Sequence, residues 1–179
     1  MSNKLKIFLV ILASITIATG FYSNKLNKKS ECITPITAPT IEAIKKIEIT
    51  TPIFYPNFKA GKLITEDIIL NSNLKNKEDI LKDIIKQLIT KLETVQILKK
   101  ENLKYEVYIK NRTIYLDLDS KVLSSANNPQ EELLLIYSFI NSLLTPGGAD
   151  KVVLLINGVP TDKVNFININ KSYKLNSNI

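Results

Sequence analysis

Four carboxylates lie close together in the sequence and are the residues that could do chemistry. Asp117 and Asp119 alternate along a predicted strand and so share one face. Glu131 and Glu132 follow at the start of a predicted helix. Such a group could serve acid–base chemistry or bind a divalent cation. The simpler interpretation, which we favour, is a solvent-facing strand end and a capped helix start. The sequence therefore predicts no catalytic, metal-binding or cofactor-binding residue.

The other candidate groups lack the partners that their chemistry needs. The chain has no histidine, so the commonest general base is missing for Ser124, Ser125 and Ser138. Residues 146–148 (Pro-Gly-Gly) are too short for a phosphate-binding loop and lack its Lys-Ser/Thr ending. The single cysteine, Cys32, cannot form an internal disulfide or a cysteine metal cluster. We therefore expect a protein that is not an enzyme and has no cofactor.

The positive charge is concentrated at the N-terminus. The net charge is +7, and residues 1–30 contain five lysines and no acidic residue. The remainder therefore carries only 7 minus 5, or +2, which is close to balanced. This distribution argues against a nucleic-acid-binding surface and points to a juxtamembrane feature.

An uncharged apolar run covers residues 7–22 and is just long enough to span a bilayer core of about 30 Å. We predict that residues 1–22 form an N-terminal anchor that contacts the membrane through residues 5–22, with its short lysine-bearing end in the cytoplasm. A cleaved signal peptide is the alternative, because residues 18–20 (Ala-Thr-Gly) offer small side chains for cleavage. The domain would then be secreted without residues 1–20. In either case we expect it on the extracytoplasmic side of a bacterial membrane, single-pass if the anchor is kept.

Three further regions follow the apolar run. Residues 23–45 contain two prolines and no sustained hydrophobic period, which predicts an extended linker. Residues 46–170 carry the periodic patterns of a folded domain. Residues 171–179 are predicted to form a polar tail.

The domain is predicted to follow the order β-β-α-β-β-α-β-β. Pro52 in the first strand argues for an edge position or a bulge, and residues 120–128 read as a polar loop. The fold class is α+β: a mostly antiparallel or mixed sheet with two helices packed on one face, preceded by a transmembrane segment. The predicted strands cover residues 46–55, 63–70, 105–110, 113–119, 151–157 and 164–169, and the predicted helices residues 76–97 and 129–145.

Local signals refine this order. The first two strands are predicted to pair antiparallel through a turn with Gly61 at positive φ, and the next two to form a hairpin that turns at Asn111-Arg112. The nearly continuous apolar strand at residues 151–157 is predicted to be central in the sheet. Asn76 and Asn128 are the predicted helix caps. The first helix is predicted to bury one stripe: Ile80, Leu81, Ile84, Ile85, Leu88, Ile89 and Leu92.

Three stretches of the second half are similar to a known family. They are Ile-Tyr-Leu-Asp-Leu-Asp at 114–119, the helix ending Tyr-Ser-Phe-Ile-Asn-Ser-Leu-Leu-Thr at 137–145, and the apolar strand at 152–158 that closes with Asn-Gly. The first half adds an edge strand, the sequence Gly-Lys-Leu and a long helix rich in Leu and Ile. Together these features resemble the GerMN domain of sporulation and spore-germination proteins, which is also found in exported bacterial lipoproteins. The resemblance covers residues 47–169. One departure is Ser142, where the family more often has Thr.

The resemblance implies an exported, membrane-tethered, non-enzymatic domain of envelope or sporulation assemblies. No ligand or catalytic residue comes with it. The helix-ending residues have a structural explanation, since Asn141 and Thr145 can hydrogen-bond the exposed carbonyl groups of the helix end.

The sequence thus predicts an interaction module of the cell envelope. It would dock a sheet edge or an exposed helix face onto other envelope proteins, or onto a second copy of itself. The alternative is a module that binds peptidoglycan or another envelope polymer through an exposed groove lined by Tyr and Asn. Tyr105, Tyr108 and Tyr115 could line such a surface, although cross-strand packing in a hairpin explains them more simply.

Overall fold

A computed structural model of the protein describes residues 47–72 and 76–179. The predicted anchor (residues 1–22) and the linker that follows it (residues 23–45) lie outside the described residues. Within the described part, no helix is long and apolar enough to cross a membrane. The elements are β1 (Ile47–Asn57), β2 (Lys62–Ser72), α1 (Lys77–Thr94), β3 (Tyr105–Lys110), β4 (Thr113–Leu118), α2 (Ser120–Ser124), α3 (Pro129–Leu144), β5 (Lys151–Ile156) and β6 (Ser172–Tyr173).

β1 and β2 form an antiparallel ribbon of their own. Their register is unbroken from Ile47 opposite Ser72 to Asn57 opposite Lys62, so no bulge interrupts it. Gly61 in the connecting turn has a φ of +64°, as the sequence predicts. The antiparallel pairing predicted for these two strands is confirmed.

The second sheet has the order β3-β4-β5-β6. β3 and β4 form the predicted antiparallel hairpin, with Asn111 and Arg112 at φ values of 49° and 56° in its turn. β5 lies parallel to β4 and antiparallel to β6. The prediction that this apolar strand is internal to its sheet is confirmed.

The α+β class is confirmed, but the prediction of one sheet with helices on one face is wrong. α1 contacts β1, β2 and β3, and α3 contacts β1, β2 and β5, so both helices pack against both sheets. The reason lies in α3, which is buried around most of its circumference. A helix that is apolar on several sides needs packing partners on more than one side.

Both long helices begin as predicted. The side chain of Asn76 accepts a hydrogen bond from the Asp79 N–H at 2.8 Å and caps α1. Asn128 does the same for α3, accepting from the Glu131 N–H at 2.9 Å. Ile80 of the stripe predicted for α1 is partly buried. The other six residues of the stripe are the buried face of α1: Leu81, Ile84, Ile85, Leu88, Ile89 and Leu92.

Two local predictions are wrong. The loop predicted at residues 120–128 contains the short helix α2, which Asp119 caps by accepting from the Lys121 N–H at 3.0 Å. The strand predicted at residues 164–169 is absent, because the N–H groups of Phe166 and Ile167 donate to Glu132 instead of to a neighbouring strand. Apart from an isolated bridge between Ile156 and Val159, the following chain pairs with β5 through β6, within the predicted polar tail.

Candidate functional site

The two aspartates of the predicted acidic group have structural partners. Oδ1 of Asp117 accepts a hydrogen bond from the Gly158 N–H at 2.8 Å and so holds the turn after β5. Asp119 caps α2. In the chain as described, no group of three or more His, Cys, Asp and Glu side chains is placed to hold a metal ion.

The two glutamates differ from each other. Glu131 is half-buried, and its Oε2 accepts from the backbone N–H of Asn127 at 2.9 Å, as a capping side chain does. Glu132 is fully buried, and the predicted capped helix start does not account for this burial. Its Oε2 accepts from the N–H groups of Phe166 at 2.6 Å and Ile167 at 2.7 Å. The four carboxylates therefore stabilise separate turns and segments.

Tyr173 lies close to this buried carboxylate. Its ring meets that of Tyr137 edge to face, with the centroids 5.8 Å apart. Neither the Tyr173 hydroxyl nor Oε1 of Glu132 has a hydrogen-bond partner in the described structure. Burial raises the pKa of Tyr173 to about 12, and the neighbouring Tyr137 and Glu132 act in the same direction. Glu132 and Tyr173 together fasten the C-terminal segment to α3.

The candidate serines bond to the backbone of their own helices. Oγ of Ser138 is buried and donates to the Leu135 carbonyl at 2.6 Å. Ser124 and Ser125 donate to carbonyl groups of α2 at 3.2 and 2.7 Å. None of these three hydrogen bonds joins a serine hydroxyl to a basic side chain, which is the contact that activates a serine nucleophile.

A groove of about 720 Å³ lies between the end of α1, the segment before β3 and α2. Its lining contains neither Tyr nor Asn. Tyr108 is half-exposed and lies opposite Tyr115 in the β3–β4 hairpin, as cross-strand packing requires. This groove is therefore not the groove lined by Tyr and Asn that was predicted to bind an envelope polymer. The lining residues are Glu93, Gln96, Ile97, Leu98, Lys99, Lys100, Glu101, Leu103, Lys121, Ser124 and Ser125.

The outer edge of β1 is closed between Pro52 and Pro56. The Phe54 N–H donates to Oγ of Ser142 on α3 at 2.8 Å, so it points away from β2. Because backbone direction alternates along a strand, Pro52 and Pro56 occupy the same outer edge. Proline has no N–H to offer a further strand. The edge position predicted for Pro52 is confirmed.

The edges of the four-stranded sheet are also protected. The outward N–H of Ile109 on β3 donates to Oε1 of Glu78 on α1 at 3.0 Å. Lys82 of α1 forms an ion pair with Glu106 of β3 at 2.6 Å. At the opposite edge, β6 has only two residues. Side-chain cover and short length are both ways in which proteins blunt sheet edges.

Lys91 of α1 forms an ion pair with Glu66 of β2, but the outward backbone N–H groups of β2 have no such cover in the described structure: no side chain bonds to them and no proline replaces them. The register that directs Phe54 away from β2 directs the backbone groups of Leu63, Thr65, Asp67 and Ile69 away from β1. None of these four forms a backbone hydrogen bond with another described residue beyond the ribbon. Ile69 is 60% exposed, more than any other large apolar side chain in the described regions. We call these four residues the open edge.

Sequence reasoning proposed a sheet edge in general terms and missed these residues. The available signal was the contrast between Pro52 and Pro56 in the first strand and the absence of proline from the second.

Comparison with protein-family models shows which family this chain belongs to. The family model Germane, described as sporulation and spore germination, matches residues 52–162. This chain belongs to the GerMN family. A search of curated proteins found no match. A solved structure of a candidate lipoprotein from Clostridium perfringens is 18% identical, with a TM-score of 0.45, covering 71% of this chain and 87% of that one.

The residues that carry the GerMN resemblance are packing and hydrogen-bonding residues. Thr145 donates to the Asn141 carbonyl at 2.7 Å, which confirms its predicted role at the helix end. The prediction for Asn141 is wrong, because its side-chain amide pairs with the backbone of Asn176 at 2.8 and 3.1 Å. Ser142 donates to the Ser138 carbonyl at 2.7 Å while accepting from Phe54. In this GerMN domain the helix ending therefore joins α3 to β1 and to the C-terminus.

Proposed function

We propose that this protein is a non-catalytic interaction module of an envelope or sporulation assembly, and that it binds a partner by adding an extended strand to the open edge. The observation that carries the proposal is the contrast between the unprotected edge of β2 and the three protected edges of the two sheets.

The energetics favour a strand as the ligand. Unpaired N–H and C=O groups on an edge are a template for main-chain hydrogen bonds, which give affinity in β-strand addition. Each such bond contributes about 0.5–1.5 kcal/mol net. Ile69, exposed on the ribbon, would gain further from burial against a partner side chain. Several weak terms along one strand can thus add up to a specific complex.

The remaining parts of the proposal rest on the sequence and the family. The family description places relatives in sporulation and spore germination. The apolar run at residues 7–22 supports export and tethering of the domain outside the cytoplasm. A non-catalytic role is supported by the carboxylates and serines, whose contacts serve turns, caps and helix backbones.

Capture of partners from crosslinked cells tests the proposal. The variant Asp67→Pro removes an outward N–H from the open edge and none from the β1–β2 ladder, and Pro52 already occupies the position opposite. Thr50→Pro is the matched control, since it changes the outer edge of β1 on the same ribbon. We expect the wild type and Thr50→Pro to capture the same envelope proteins and Asp67→Pro to lose them. Unchanged capture by Asp67→Pro, with circular dichroism showing an intact fold, would contradict the proposal.

A further inference from the structure

We propose that the strand bound at the open edge is β2 of a second copy of this chain, paired antiparallel about a two-fold axis. This inference rests on the proposed function, because it names the partner of the same edge. The resulting sheet would have the order β1-β2-β2-β1, with the two β2 strands at its centre.

Symmetry makes the open edge its own complement. When two copies of a strand pair antiparallel about a two-fold axis, residue i of the first copy faces residue j of the second, and residue j of the first faces residue i of the second. The same edge therefore provides both sides of the interface. With the two-fold axis at Ile69, the outward N–H and C=O groups of Asp67, Ile69 and Asn71 would pair with the same three positions on the partner copy.

The closed edge of β1 would limit the assembly to two copies. Once two β2 strands are paired, the outer edges of the combined sheet are the two β1 edges. Pro52 and Pro56 remove two outward N–H groups there, and Ser142 occupies the N–H of Phe54 between them. Few outward N–H groups remain there for a further strand, so we expect the assembly to close as a dimer instead of growing into a fibre.

Burial of Ile69 and separation of the acidic residues together favour one register of the pair. An axis at Asp67 would place two carboxylates directly opposite each other, and an axis at Glu66 would do the same for that residue. An axis at Ile69 places Asp67 opposite position 71, an asparagine, and sets the two Ile69 residues face to face. This register separates the acidic residues and covers the most exposed apolar side chain. It gives about six new backbone hydrogen bonds.

Disulfide trapping tests the register in the full chain in its native membrane. Cys32 is the single cysteine, so Ile69→Cys is introduced together with Cys32→Ser. Directly opposed residues of this kind have Cα atoms about 5.5 Å apart, within the roughly 4.4–6.8 Å that a disulfide allows. Leu175→Cys with Cys32→Ser is the control, since Leu175 is 53% exposed and lies off the ribbon.

The expected result is a disulfide-linked species of twice the chain mass for Ile69→Cys, none for Leu175→Cys, and loss of the dimer when Asp67→Pro is added. Absence of the dimer with Ile69→Cys, or equal dimer formation with Leu175→Cys, would overturn self-pairing in this register.

A photo-reactive amino acid in place of Ile69 separates this inference from the proposed function. A product of two copies of this chain supports self-pairing. A product with a different protein that disappears with Asp67→Pro overturns self-pairing and leaves strand addition intact. No product of either kind overturns both.

Discussion

The backbone N–H of Phe54 lies 2.8 Å from Oγ of Ser142, and this contact ties the ribbon to α3. Ser142 is fully buried and also donates to the Ser138 carbonyl, so one hydroxyl serves the helix and the strand at once. The bond also fixes which backbone groups of β1 and β2 face outward, because direction alternates along a regular ladder. The contact made by this buried helix residue therefore shows which backbone groups of β2 face away from β1.

Replacing Ser142 should weaken this junction. Ser142→Ala leaves the Phe54 N–H without its acceptor, and we expect a loss of about 1–3 kcal/mol in the free energy of unfolding. Urea denaturation followed by circular dichroism measures the loss. Ser138→Ala is the matched control, because its buried hydroxyl bonds only to its own helix at the Leu135 carbonyl. A loss for Ser138→Ala as large as that for Ser142→Ala would show that the contact with β1 contributes little.

Glu132 should contribute far more to stability than its neighbour. Glu132→Ala removes the acceptor of the Phe166 and Ile167 N–H groups, and we expect a loss of about 3 kcal/mol or more. Glu131→Ala removes a half-exposed capping interaction with Asn127, for which about 1 kcal/mol is expected. The same denaturation experiment compares the two. Amide hydrogen exchange at Phe166 and Ile167 should rise only in Glu132→Ala, and unchanged protection there would refute the assigned role.

Tyr173 should make stability fall at high pH. Its folded pKa is raised to about 12 from an ordinary value near 10, so the fold favours the protonated hydroxyl. That contribution is fully present below pH 10 and is lost as the pH rises from 10 towards 12. Tyr173→Phe should remove this part of the pH dependence in thermal unfolding between pH 9 and 11. Because the hydroxyl has no partner in the described structure, we expect no loss of stability at pH 7; parallel pH profiles for variant and wild type would count against the assignment.

The parts of the fold that could be predicted are those determined locally. The buried stripe of α1, the caps at Asn76 and Asn128 and the turn at Asn111-Arg112 each follow from spacing or from residue type within a few positions. The GerMN resemblance was visible for the same reason, since its stretches are short and contiguous.

The parts that were predicted wrongly depend on distant contacts. Residues 164–169 alternate like a strand, yet their amides are used by Glu132, more than 30 positions away. The division into two sheets depends on α3 being buried between elements at both ends of the domain. The open edge exists because no other described strand pairs with the outer side of β2. Sequence periodicity does not show which strands pair with each other.

Amide hydrogen exchange at the open edge, in the assembled full-length protein and in the dissociated chain, tests the central claim most directly. In the dissociated chain the amides of Thr65, Asp67 and Ile69 should exchange fast, while those of Glu66 and Ile68, which point to β1, should exchange slowly. On assembly we predict that the amides of Asp67 and Ile69 become protected and that Asp67→Pro prevents protection at Ile69. Fast exchange of these amides in the assembled wild type would contradict strand addition at β2.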